Sequence, residues 1–215
     1  MKDRYSEKVE EILAAFDRED WTLAVNLSGE FLAEADSSYA AKLNCGQNAD
    51  MELDIFGLAA SLHCLSLLYD CEMKMLLSTS LACMYQIEQN GYKTIGIEES
   101  LMIISATALS AHAEYVSFAM EELEPDEELK DHCLTMGRYI ASYCYYLYNK
   151  VNKEMPESPY TGLVYTILQE SKDFFKIDTP TIEVCGDQMN PSKDGMGIMA
   201  DLLGRALSLG FFDEK

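Results

Sequence analysis

His112 stands two residues before Glu114, the His-x-Glu form in which zinc deaminases pair a metal-binding imidazole with a proton-shuttling carboxylate. The Pro-Cys-x-x-Cys segment that completes such a site is missing, so the pair reads as part of a helix. Glu128 and His132 lie one helical turn apart beside Asp131. A dimetal site in a bundle needs Glu-x-x-His pairs from facing helices, and no such pairs occur. With only His63, His112 and His132 available and no Cys-x-x-Cys, a zinc site lacks ligands. Gly195, Gly197 and Ala200 follow the spacing of a dinucleotide-binding loop. That loop needs a preceding strand and a following βαβ unit, whereas here the glycines read as the entry to a terminal helix. No Ser elbow, Ser-x-x-Lys motif or Walker loop occurs. No catalytic residue, metal ligand or cofactor is assigned.

Cys64 and Cys71 are seven residues apart, which on one continuous helix puts them on one face, roughly 10 Å apart at a rise of about 1.5 Å per residue. That is too far for a disulfide. The acidic run from Glu121 to Asp131 reads as a solvated elbow between two helices, favourable to a helix dipole.

The segment YIASYCYYLYNK holds Tyr139, Tyr143, Tyr145, Tyr146 and Tyr148. On a helical wheel Leu129, Cys133, Met136, Ile140, Cys144, Leu147 and Val151 form one apolar stripe. Tyr139, Tyr143 and Tyr146 line one edge of it, Tyr148 the other, and Tyr145 points to the polar side. The apolar arc is wider than one neighbour covers, so this helix is expected between two others. The Tyr139, Tyr143 and Tyr146 edge, with His112 and Tyr115, is the candidate groove.

The elements that must position these residues are helical almost throughout. Val9, Ile12, Leu13 and Phe16 make one buried face, and the pattern restarts at Trp21 behind the N-cap candidate Asp20. Residues 36–50 read as a polar connection. A long apolar helix follows from about Met51 to Tyr69, and the next runs to Gln89 and stops at Asn90-Gly91. Thr94 or Gly96 opens a helix to about Leu123 that is rich in small residues. Pro125 suits the first turn of the tyrosine helix. A further helix is expected from about Ser158 to Phe175, then a strand-like Thr181–Cys185 segment, then a last helix to Leu209. The fold class is all-α: about eight helices in antiparallel hairpins, closed as an irregular bundle or stacked as a superhelix, in one domain over 1–215. The uncharged runs 55–69, 75–87 and 100–113 fall short of the ~20 residues a membrane span needs and read as core helices.

The stretch EEILAAFDREDWTLAVNLSGEFLAEAD, residues 10–36, resembles a tetratricopeptide-type hairpin. Its acidic turn is followed by Trp21 and Ala24, as in the second helix of such a repeat, with Glu19 where the family has its turn Gly and Phe31 where it has a small residue. The resemblance implies a helical-hairpin protein that binds peptides or partner proteins in a groove.

Charge narrows the partners. There are 37 Asp and Glu against 16 Lys and Arg, a formal charge of −21 that repels nucleic-acid phosphates and anionic membranes. Seven cysteines at mostly apolar positions, with no apolar leader in MKDRYSEKVEE, point to a reducing, cytoplasmic setting. The function expected is a non-enzymatic interaction module for a protein or peptide, basic in character, with self-association as a further option. The alternative is a small-molecule sensor or enzyme with a pocket among the central helices, near His112 and Tyr115.

Overall fold

The computed structural model describes residues 2–91, 94–122 and 127–177, and every regular element among them is a helix. They are α1 (Lys2–Asp17), α2 (Trp21–Asn44), α3 (Asp50–Tyr69), α4 (Met73–Asn90), α5 (Ile95–Glu122), α6 (Glu127–Glu154) and α7 (Thr161–Phe174). The expected last helix, the Thr181–Cys185 segment, Pro125 and the glycines at 195–197 lie outside the described residues.

The helix ends follow from local chemistry. Asp20 accepts a hydrogen bond from the Leu23 amide at 3.2 Å and caps α2. The Thr94 hydroxyl accepts from the Ile97 amide at 3.3 Å at the start of α5. Four helices close with one motif. Beyond α1 the Asp20 amide returns to the Ala15 carbonyl and the Glu19 amide to Phe16. The same pair of bonds recurs as Gln47 to Lys42 with Gly46 to Leu43, Glu72 to Leu67 with Cys71 to Leu68, and Ile177 to Lys172 with Lys176 to Asp173. This Schellman closure puts one residue at positive φ. That residue is Gly46 (φ 64°) after α2, but Glu19 (55°), Cys71 (60°) and Lys176 (52°) elsewhere. Cys71 is therefore an exposed turn residue beyond the end of α3, not on one helix face with buried Cys64.

α2 runs to Asn44, through residues that read as a connection. Ala24, Ser28, Phe31, Ala35 and Tyr39 continue one buried stripe, and the polar residues between them face outward. The Ser37 hydroxyl donates to the Ala33 carbonyl at 2.8 Å, within the helix itself.

Short turns make successive helices antiparallel, so α1, α3, α5 and α7 run in one direction. α1 packs on α2, and α2 on α3. α3 packs on both α4 and α5, α4 on α5, α5 on both α6 and α7, and α6 on α7. α3 and α5 are thus covered from several sides, which is why they carry apolar and small residues all round. Gly57 marks the close approach: a Cβ there would lie 3.1 Å from Ile97 and 3.2 Å from Ser100 of α5. By length and composition both α3 and α5 could cross a membrane, and 72% of each apolar window is buried inside this protein.

Hydroxyls within these apolar helices are satisfied locally. Ser61, Ser66, Ser80, Ser100, Ser105, Thr107 and Ser142 each donate to a carbonyl three or four residues earlier, at 2.8 to 3.1 Å.

Candidate functional site

His112, Tyr115 and Tyr143 sit in the packing between helices. His112 is fully buried on α5, its Nε2–H donating to the Cys133 carbonyl of α6 at 2.9 Å. Its ring stacks on Phe175 at 5.6 Å and packs near Tyr115, itself 2% exposed. Phe175 reaches this site because α6 has Gly137 beneath it. A Cβ on Gly137 would lie 2.2 Å from the Phe175 ring. Arg138 Nε donates to the Phe175 carbonyl at 3.3 Å.

Tyr143 is buried and donates a short hydrogen bond to Glu88 Oε1, tying α6 to α4. Burial pushes the Glu88 carboxyl above the usual carboxylate range, and the Tyr143 bond works in the opposite sense. Tyr139 and Tyr146 are half-buried. None of Tyr139, Tyr143, Tyr146, His112 and Tyr115 lines the grooves that follow. The side chains of Glu128 and His132 lie outside the described residues.

An apolar groove lies between α1 and α3. α1 packs chiefly on α2, which leaves a cleft of about 460 Å³ lined by Tyr5, Ser6, Val9, Glu10, Met51, Asp54, Ile55 and Leu58. Met51, Ile55 and Leu58 fall at i, i+4, i+7 along α3, and Tyr5 and Val9 one turn apart on α1, so the two apolar faces oppose each other. Met51 is 51% exposed and Leu58 39%. Leu13, one turn on from Val9 and Glu10, is 41% exposed rather than part of the buried α1 face. The charged members Glu10 and Asp54 are both acidic, and neither has an ion pair among the described residues. Asp54 Oδ1 accepts from the Thr94 hydroxyl at 2.6 Å, fixing the start of α5 against α3.

A second groove, of about 510 Å³, lies where the 155–160 loop meets α5, and is lined by Glu99, Met155, Pro156, Glu157, Ser158, Pro159 and Tyr160. Ser158 holds the loop: its amide donates to the Met155 carbonyl at 3.0 Å, and its own carbonyl accepts from the Thr161 hydroxyl at 3.0 Å. Burial raises the Tyr160 phenol pKa, and the Glu99 carboxylate adds to it. One turn back, Lys150 pairs with Glu98.

A third, of about 320 Å³, runs between α2 and α4 past Gly29, Phe56, Cys83 and Gln86. The Gln86 amide bridges it to Asp36 at 2.7 Å. Burial pushes the Cys83 thiol up to about 12, so it is no nucleophile at neutral pH. Behind it Ser28 Oγ and His63 Nδ1 share a hydrogen bond of 3.0 Å, and Ser28 also meets Ser66 at 3.1 Å. This Ser–His pair joins residues 35 apart in sequence, beyond the reach of motif reading. Ser28 is fully buried, and the pair serves as a polar clasp between α2 and α3. Burial lowers the His63 pKa and keeps the imidazole neutral.

Comparison with known proteins gives no match to a family model, to a curated protein or to a solved structure.

Proposed function

We propose that this protein is a non-enzymatic interaction module, a stack of helical hairpins of tetratricopeptide-like type. In this reading the groove between α1 and α3 receives a peptide segment of a partner protein. The observation that carries the proposal is the groove's makeup: exposed Met51 and Leu58 opposite Tyr5 and Val9, with Glu10 and Asp54 as its charged members. Its volume of about 460 Å³ is within the roughly 300–1,000 Å³ range of small-ligand clefts, but its open, helix-flanked form suits apolar anchors at i and i+3 or i+4. The packing of α5 on α3 and of α7 on α5 supports the stacked-hairpin reading. The chain's charge of −21 and the acidic groove members favour a partner segment bearing Lys or Arg. Buried free thiols at Cys64, Cys83, Cys133 and Cys144 suit a cytoplasmic setting.

The test is fluorescence anisotropy with a labelled amphipathic Leu/Lys helix, against the Leu/Glu helix of the same pattern as control. The proposal expects saturable binding of the Leu/Lys helix alone, weakened about tenfold or more by Leu58→Lys, which puts a cation into the apolar floor. Equal binding of both helices, or binding indifferent to Leu58→Lys, would remove it.

A further inference from the structure

We infer that the groove under the 155–160 loop is a second contact for the same partner, taking a single Lys or Arg side chain that lies beyond the partner's apolar anchors. The inference rests on the peptide-binding reading of the α1–α3 groove.

α1, α3, α5 and α7 run parallel, so their N-terminal turns gather at one end of the molecule together with the 45–49 and 155–160 connections. Both grooves are at that end. Tyr5 and Met51 are in the first turns of α1 and α3, Glu99 is in the second turn of α5, and Tyr160 directly precedes α7. The Asp54–Thr94 hydrogen bond joins α3 to the start of α5 between them. A segment leaving the first groove past Asp54 reaches the start of α5 at Thr94, five residues before Glu99.

The second groove combines apolar surface from Met155, Pro156, Pro159 and Tyr160 with two carboxylates, Glu99 and Glu157. The alkyl stem of a long basic side chain packs on such surface while its head meets the acids. Tyr160 adds a ring face that attracts a cation. The acids nearby already show what they select: Lys150 pairs with Glu98, and Lys42 with Glu52. Glu99 and Glu157 have no ion pair among the described residues. A backbone phosphate or an acidic peptide would meet repulsion at the same place, so the occupant is cationic.

The experiment uses the whole chain and two labelled peptides: the amphipathic Leu/Lys helix, and the same helix extended by a Gly-Ser spacer ending in a single Arg. The extension is expected to tighten binding about tenfold at low salt, through the effective concentration the linkage provides, and to lose most of that gain above about 0.3 M salt. Glu99→Gln with Glu157→Gln should abolish the gain and leave the unextended helix unaffected. If the unextended helix binds but the extension adds nothing, or its gain survives both substitutions, the second contact is wrong and the first groove stands. If the unextended helix fails to bind, the reading of the first groove falls and this inference with it. Thermal unfolding of the double variant at the wild-type temperature separates lost contact from lost fold.

Discussion

Replacing Gly137 by Ala sets two effects of opposite sign against each other. Within an ordinary helix the change stabilises by about 1 kcal/mol, because Ala gives up less conformational freedom than Gly. At this position the new Cβ would lie 2.2, 2.3 and 2.6 Å from three atoms of the Phe175 ring. Carbon atoms in contact prefer about 3.5–4 Å, so the ring has to withdraw by more than an ångström. Phe175 is fully buried, stacked on His112 at 5.6 Å and held through its carbonyl by Arg138, so it has no slack. Displacing it costs about as much as removing it, roughly 3–5 kcal/mol. The net expectation is destabilisation by about 2–4 kcal/mol, or a fall in Tm of about 5–15 °C for a chain of this size. Urea unfolding followed by far-UV circular dichroism measures it. The sign should invert in a Phe175→Ala background, where Gly137→Ala should stabilise by about 1 kcal/mol. If Gly137→Ala stabilises the wild-type chain, Phe175 is not seated on α6 and this packing is refuted.

Further outcomes follow from individual groups. Glu88 has its pKa raised by burial, so its contribution to stability is present in full below about pH 4.3 and is lost as pH rises through the folded value. Glu88→Gln keeps an acceptor for Tyr143 without the charge. It should be more stable than wild type at pH 8 and equal to it near pH 4; a pH-independent loss in denaturant titrations would contradict this. Glu19 and Cys71 hold positive φ without being glycine, so Glu19→Gly and Cys71→Gly should each stabilise by about 0.5–1 kcal/mol, read as a rise in Tm. Gly46→Ala should lower stability by about 1 kcal/mol for the same reason. Under native conditions a thiol reagent should modify Cys45 and Cys71 rapidly and spare Cys64, Cys83, Cys133 and Cys144, with peptide mass mapping as the readout. Burial pushes the Cys83 and Cys144 thiols up to about 12 and withholds the reactive thiolate.

What the sequence made legible was local. The Asp20 cap, the stop at Gly91 and the opening of α5 at Thr94 depend on residues a few positions apart, and all three are present. The wheel of the tyrosine helix also holds: Cys133, Met136, Ile140, Cys144, Leu147 and Val151 are buried, and α6 packs against both α5 and α7. Misreadings arose where a local signal had two meanings. Asp36, Ser37 and Ser38 look like a loop but are the exposed face of α2, whose continuation depends on Ala35 and Tyr39 finding α3. The Cys64–Cys71 spacing assumed an unbroken helix, yet a Schellman turn without glycine ends α3 first. Leu13 shares an apolar stripe with Ile12, but α2 covers only part of it, and burial is decided by the neighbour rather than by the stripe.

The candidate site was hidden for a related reason. Val9 and Leu58 are unremarkable apolar residues 49 positions apart, and only the spacing of α1 from α3 turns them into opposite walls of one cleft. The Tyr143–Glu88 bond joins residues 55 apart, so a tyrosine read as an edge of a groove is instead a buried strut between α6 and α4.

The central claim, that the α1–α3 groove takes a basic amphipathic segment, is tested most directly by methyl NMR on methionine-labelled protein titrated with the Leu/Lys helix. Of the 12 methionines, Met51 lines the groove, Met84 and Met102 are buried in the core, and Met75 is exposed on α4. The expected result is a saturable shift of the Met51 methyl with Met75, Met84 and Met102 unmoved, and loss of that shift in Leu58→Lys. A silent Met51, or shifts that instead gather at Met75, would contradict it.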